Sequence, residues 1–206
     1  MMERFTRLTG RVAAMPAANI DTDVIMPKAF LKGIDRAGLA LGLFHDLRFD
    51  GQGEPRPDFL LHRPGMEDTR FLLVGPNFGC GSSREHAVWG MLQFGIRAII
   101  GSSFAGIFAD NAANNGLLLV ALEPDALAAF GQAVPEEGAI ITVDLERQSI
   151  HIDAMTIDFA IEPAIRRTLL LGLDRIGETL THAAAIRAFE HAYLADNPWL
   201  EEAMTE

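Results

Sequence analysis

Three neighbouring side chains carry most of the chemistry in this sequence: Ser82, Ser83 and Arg84, set between Gly79-Cys80-Gly81 and Glu85-His86. A serine hydroxyl donates, accepts and, once deprotonated, acts as base or nucleophile. A guanidinium is a permanent cation whose fork meets a carboxylate at two points. The glycines around Cys80 permit backbone angles that a Cβ opposes and let a ligand approach the main chain. Phe71-Leu72-Leu73-Val74-Gly75 precedes the run and Ala87-Val88-Trp89-Gly90-Met91-Leu92 follows it, so the order reads as strand, glycine-rich turn, helix. The serines are expected at the helix cap and first turn, where free N–H groups and the positive end of the dipole attract an anion. The run therefore predicts a carboxylate or phosphate site with a hydroxyl base or nucleophile inside it.

Other chemistries fit less well. No lysine stands before the serines, as a nucleoside-triphosphate loop requires, and the Gly-x-Gly-x-x-Gly spacing of a dinucleotide site fails after Gly81. Cys80 with His86 leaves a thiol nucleophile open, against the plainer reading of a small apolar residue in a buried turn. Glu85 and His86 have structural readings as well, His86 bonding a neighbouring loop. A second polar run, Asn19-Ile20-Asp21-Thr22-Asp23-Val24, reads as a loop satisfying its own backbone, with Thr22 or Asp23 capping a short helix.

The elements that must position these residues follow from periodicity and punctuation. Leu8 to Ala14 is a first strand ended by Pro16. From Phe30 to Asp50 the chain is apolar but broken by Gly33, Gly38 and Gly42, which predicts a mobile, apolar-tipped loop with a short helix near Asp35. A strand over 97–101, a helix over 104–113 stopped by Asn114-Asn115-Gly116, a strand over 117–122 and a helix opened by Pro124 indicate βαβ units and an at least partly parallel sheet. Short β runs follow at 139–145, 149–154 and 156–161, then helices at 163–171, 174–180 and 181–195.

At 206 residues, 49% hydrophobic and 22% charged, the chain suits one globular domain, 1–206, with 174–206 as a helical extension. A net charge of −11 argues against nucleic acid and anionic membranes, which need basic surfaces. No apolar run reaches the roughly 18 residues of a membrane span, and the first residues lack the order of a secretory signal, so the expected location is cytoplasmic. One cysteine excludes an internal disulfide and any cluster or zinc site drawing several thiolates from this chain alone.

Gly-Cys-Gly-Ser-Ser-Arg-Glu-His-Ala at 79–87, with Asn-Ile-Asp-Thr-Asp-Val-Ile-Met-Pro about sixty residues earlier, resembles the swivelling domain of the aconitase superfamily, and within it the small subunits of 3-isopropylmalate dehydratase. The resemblance covers most of the chain. It takes in Pro27-Lys28-x-Phe30-Leu31-Lys32, Gly-Leu-Phe-His-Asp at 42–46, Ser-Phe-Ala-x-Ile-Phe at 103–108 with Asn114-Asn115-Gly116, and Leu173-Asp174-x-Ile176-Gly177-x-Thr179-Leu180.

The resemblance implies an α/β fold, a three-layer swivelling β/β/α domain with a mixed sheet and C-terminal helices. It implies a large-subunit partner carrying a [4Fe–4S] cluster, with no cofactor bound by this chain. The reaction implied is isomerisation of 2- and 3-isopropylmalate through isopropylmaleate, in leucine biosynthesis. By the family pattern Ser82 is the catalytic base, Ser83 and Arg84 hold substrate carboxylate, and Asp23 is an active-site aspartate rather than a cap. The apolar segment 30–49 replaces a loop that in aconitase brings an arginine to a third carboxylate, which suits an isopropyl group and disfavours citrate. Lys32 and Arg36 keep a homoaconitate-like substrate open. The alternatives are a citraconate or alkylmalate hydratase, a non-catalytic carboxylate-binding module and a Cys80 thiol hydrolase.

Overall fold

The computed structural model describes residues 2–31 and 37–202. In chain order these form β1 (Arg7–Met15), α1 (Thr22–Ile25), α2 (Leu39–Gly42), α3 (His45–Arg48), β2 (Thr69–Val74), α4 (Glu85–Phe94), β3 (Ala98–Gly101), α5 (Gly106–Asn115), β4 (Leu118–Ala121), α6 (Pro124–Ala133), β5 (Ala139–Asp144), β6 (Ser149–Ile152), β7 (Met155–Asp158), α7 (Pro163–Leu171), α8 (Arg175–Leu180), α9 (Ala183–Asp196) and α10 (Trp199–Glu202).

The strands make one curled seven-stranded sheet in the order β4-β3-β2-β1-β5-β6-β7. β1 is the seam between its two halves. Residues Arg7 to Val12 pair antiparallel with Asp144 to Ala139, while Arg11 to Met15 pair parallel with β2, and the register slips between Arg11 and Val12. β2, β3 and β4 continue in parallel, and β5, β6 and β7 continue as antiparallel hairpins.

Parallel strands joined through helices are covered on both faces, and here each face has its own core. Leu72, Val74 and Ile99 point into one with Ile25, Leu43, Phe44, Val88, Met91 and Phe108 of the helical layer. Phe71, Leu73, Ile100 and Val120 point into the other with Ile141, Val143 and Ile150 of the antiparallel half, Phe130 of α6 and Leu169 of α7. The result is the expected α/β arrangement with a mixed sheet, its two β layers being halves of one continuous sheet.

Two local expectations need correction. The helix after the glycine turn begins at Glu85, with Arg84 as its N-cap at φ −130°, ψ 99°, so Ser82 and Ser83 precede the cap instead of occupying it and the first turn. The segment after residue 36 is a packed layer, since Leu39, Leu43, Phe44 and Arg48 are buried and, of its large apolar side chains, Leu41 and Leu47 are the exposed ones. Its glycines mark ends: Gly38 caps α2 with a positive φ, and a Cβ on Gly42 would strike Phe30 and Met26. Lys32, Arg36 and the helix expected near Asp35 lie outside the described residues.

Candidate active site

The site is assembled from the loops that leave the carboxyl ends of β1, β2 and β3, the edge where open α/β sheets hold their ligands. These loops pair as though the strands continued. Asn19 N–H donates to Pro76 C=O (2.9 Å), Gly79 N–H to Ile20 C=O (2.8 Å) and Thr22 N–H to Cys80 C=O (2.8 Å). On the other side Asn77 N–H donates to Ser103 Oγ (2.9 Å) and Ala105 N–H to Phe78 C=O (3.0 Å). The turn is thus clamped between two neighbouring loops. Gly79 (φ 78°) and Gly81 (φ 94°) lie in the left-handed region, and a Cβ on Gly79 would strike the base of the Phe108 side chain at Cβ and Cγ.

Asp21, not Thr22 or Asp23, caps α1: its carboxylate accepts from Val24 N–H at 2.8 Å. That leaves the next two side chains for other partners. Thr22, buried, donates its hydroxyl to the Ser82 carbonyl at 2.8 Å and so ties α1 to the serine turn. Asp23 pairs with Arg84: Nη1 donates to Oδ1, and also approaches Met26 C=O at 3.4 Å. Arg84 is buried at 8% exposure while the Asp23 side chain is 48% exposed. The Arg84 hydrogen bond and charge, with help from Lys28, hold the Asp23 carboxyl below the usual carboxylate range.

Ser82 and Ser83 are exposed beside this pair. Among the described residues nothing hydrogen-bonds their hydroxyls, and nothing takes the Nε or Nη2 hydrogens of Arg84. Two hydroxyls and part of one guanidinium are therefore open to a ligand just ahead of a helix N-terminus. Glu85 faces away from them and accepts from Asn115 Nδ2 at 2.7 Å, while Asn115 Oδ1 accepts from Trp89 Nε1 at 2.9 Å. His86 packs its ring on Trp89 of the same helix, centroids 4.8 Å apart, a structural contact other than the expected bond to a neighbouring loop.

Of the residues expected from sequence, Asp23 and Arg84 meet directly and Ser82 joins their neighbourhood through its carbonyl; Ser83 is adjacent only by chain. Sequence reasoning missed the separate parts of Asp21 and Thr22. Asp21 stands immediately before the four helical residues of α1 and three before Val24, the spacing of a side-chain cap, so a local signal for it exists. Among the described residues no three His, Cys, Asp or Glu side chains converge to hold a metal, and no helix is long and apolar enough to cross a membrane.

Comparison with known proteins identifies the family. Residues 2–125 match the aconitase C-terminal domain, and residues 176–203 match the C-terminal domain of the 3-isopropylmalate dehydratase small subunit. The chain is 52% identical to 3-isopropylmalate dehydratase small subunit 2 of Salmonella choleraesuis, over 97% of each chain. It is 49% identical to small subunit 1 of Mannheimia succiniciproducens, over 97% of this chain and 100% of that one. Among solved structures, the 3-isopropylmalate dehydratase chain of Methanocaldococcus jannaschii superposes with a TM-score of 0.65 at 28% identity, covering 90% of this chain and 99% of that one. Matched by both family models and by relatives that cover it nearly end to end, this chain belongs to the family of 3-isopropylmalate dehydratase small subunits.

Proposed function

We propose that this chain is the cytoplasmic small subunit of a two-chain hydro-lyase that interconverts 2- and 3-isopropylmalate in leucine biosynthesis. Residues 1–206 act as one swivelling unit, with 174–206 as its helical extension. Ser82 is the base. It takes the proton from the carbon beside a carboxylate as the hydroxyl on the neighbouring carbon leaves as hydroxide; in the return step hydroxide adds to the carbon that lost the proton and Ser82 gives its proton back to the other carbon, which yields the isomer. A serine hydroxyl is a very weak base in water, so the site has to stabilise its anion. The Arg84 cation and the first-turn amides of α4 supply that stabilisation.

Ser83 and the open Nε and Nη2 of Arg84 hold a substrate carboxylate, and Asp23 keeps the guanidinium in place by engaging Nη1. The observation that carries this reading is that pair: a buried arginine pinned on one side and open on the other, next to an unengaged serine. A [4Fe–4S] cluster needs several thiolates and Cys80 is the chain's one cysteine, so the residues here do not fit that group and no step above runs through it. We assign the cluster to the large subunit.

The test is an anaerobic assay with a cluster-loaded large subunit, following isopropylmaleate from 3-isopropylmalate. Activity is expected only with both chains, and is expected to fall by about 10³-fold or more in Ser82→Ala with the complex intact. An intact complex in which Ser82→Ala keeps full activity would return the chain to a non-catalytic role. A wild-type complex inactive on isopropylmalate but active on citraconate or homoaconitate would reassign the substrate.

A further inference from the structure

The parallel pairing of β1 with β2 ends at Met15 and Val74, and Pro16 and Pro76 just beyond have no N–H with which to continue it. Pairing then resumes between the two loops, and the contacts that bring Asp23 to Arg84 belong to this second ladder. It begins at Asn19, whose N–H donates to Pro76 C=O, and passes through Gly79 with Ile20 and Thr22 with Cys80. It ends where Thr22 holds the Ser82 carbonyl and Arg84 meets Asp23. Gly79 and Gly81 carry no side chain that could fix where the serine turn sits along its neighbour, and glycine-rich pairings specify their own register weakly.

A side-chain bond stands at the first rung. Asn77 Nδ2 donates to Asn19 Oδ1 at 2.8 Å, and Asn77 N–H donates to Ser103 Oγ at 2.9 Å, so the residue at the head of the serine turn reaches the loops on both sides. Asn19 (φ 57°) and Asn77 (φ 56°) both lie in the left-handed region, and both are exposed. Glycine would meet that backbone angle with less strain, and neither side chain adds to a core. Asparagine at both places is explained by the bond between the two amides. Non-glycine residues held in this region by their surroundings collect at functional sites.

We propose, resting on the role given to Ser82 above, that Asn19 and Asn77 are positioning residues for the reaction: their amide–amide bond fixes the register of the two loops and with it the place of Ser82 beside the Arg84–Asp23 pair. Neither asparagine touches substrate; each acts through the rungs that follow it. Without the bond the turn can shift along its neighbour, and Ser82 spends less time aligned with the carbon it deprotonates. The Arg84–Asp23 bond is made directly and persists, so the carboxylate site is kept. The loss therefore falls on kcat more than on KM.

Two measurements test the pair. On the free full-length chain, amide hydrogen exchange read by NMR follows the Thr22 and Gly79 N–H groups, the rungs beyond the two asparagines. Asn77→Gly and Asn19→Gly each keep the left-handed angle and remove one amide. Both are expected to speed exchange at those rungs by about 10-fold or more, while Leu72 in β2 stays as slow as in wild type. In the complex with a cluster-loaded large subunit, kcat is expected to fall about 10-fold in either variant, with KM for isopropylmalate changed by less than about 2-fold. Because the two residues share one bond, the double Gly variant should be no worse than either single one. Asn19→Asp keeps an acceptor for Asn77 Nδ2 in a residue type that tolerates the angle, so it should keep most of kcat and the slow exchange. Unchanged exchange in both Gly variants, or additive losses in the double variant, would overturn the proposed bond. Faster exchange with unchanged kcat in an active complex would overturn the positioning role and leave the functional reading standing. A wild-type complex inactive on isopropylmalate would sink that reading and the positioning role with it, while exchange on the free chain would still decide whether the bond holds the loops.

Discussion

Arg84 and Asp23, 61 residues apart in sequence, form an ion pair in which the cation is the buried member and the carboxylate is half open to solvent. The asymmetry decides what each partner does. A buried guanidinium without its counter-charge is costly, whereas a half-exposed carboxylate can be rehydrated. Asp23 therefore serves Arg84 more than Arg84 serves Asp23, and the ligand-facing edge of the guanidinium depends on a residue from another loop.

Asp23→Asn is expected to cut kcat/KM by about 10- to 100-fold, mostly through KM, because it loosens a carboxylate-binding cation without removing the base. Arg84→Lys should cost more, since one ammonium cannot engage Asp23 and a substrate carboxylate as a fork does. Steady-state kinetics of the assembled complex check both. Equal KM values for wild type and Asp23→Asn would remove Asp23 from substrate binding.

The same pair sets a pH signature. The Asp23 carboxyl is held below its usual range in the folded chain, so its contribution to stability is complete above the ordinary carboxylate pKa. It is lost as pH falls through the lowered folded value. Wild type should therefore lose stability over that acid range more steeply than Asp23→Asn, as read by melting temperature against pH on the free small subunit. Parallel acid limbs would contradict the assignment.

Thr22 offers a finer probe of the serine turn. Thr22→Val keeps the shape, removes one hydrogen bond to the Ser82 carbonyl and leaves that carbonyl to find water. A stability loss of about 1 kcal/mol is expected, with kcat reduced more than KM is raised, because the base is displaced while the carboxylate site stays. Thr22→Ser should recover most of kcat. A Val variant with unchanged kcat would show that the turn holds Ser82 without this tie.

What was legible in the sequence follows where each signal was local. β1 ended by Pro16, the turn after β2, the Gly116 stop of α5 and the Pro124 start of α6 all carry their cause within a few residues. The start of α4 was misplaced because Ser82 and Ser83 are good caps in isolation, yet the pairing of Cys80 with Asp21 and of Thr22 with Ser82 holds the turn extended until Arg84. The packing of 37–49 is not legible locally, because a glycine that breaks helices and one that admits close neighbours look alike in sequence, and Gly42 admits Phe30 and Met26. The Arg84–Asp23 contact follows from long-range topology: it needs β1 and β2 parallel and adjacent, which no local pattern states. The family resemblance placed those two residues in one site; the residues alone did not.

Gly79 tests the clamp around the turn by stability. Gly79→Ala meets a positive φ and the Phe108 ring together, and a loss of about 2–4 kcal/mol is expected. Phe108→Ala in the same chain, which removes Cγ and the ring, should return most of the steric part only, since the backbone strain remains. A double variant restored fully to the Phe108→Ala stability would locate the whole cost in the contact with Phe108.

The segment expected to face the alkyl group depends on a buried arginine. Arg48 lies at 7% exposure, and among the described residues it meets no carboxylate. Its guanidinium instead donates to Ala40 C=O (2.7 Å), Leu43 C=O (3.0 Å) and His62 Nε2 (3.3 Å), between the rings of Phe49 and Phe94. Burial lowers its pKa, but from a value so high that the cation persists at neutral pH. Because Phe94 belongs to α4, and Gln93 of α4 also accepts from Leu39 N–H, this one side chain fastens α2 and α3 to the helix that carries the serine turn. Arg48→Met keeps much of the volume but strands two carbonyls, so a loss of about 2–3 kcal/mol is expected. If the segment shapes the alkyl pocket, KM for isopropylmalate should rise several-fold while citraconate, with only a methyl group to place, is affected less. Equal loss on both substrates would make Arg48 a purely structural fastening and move the specificity determinant elsewhere.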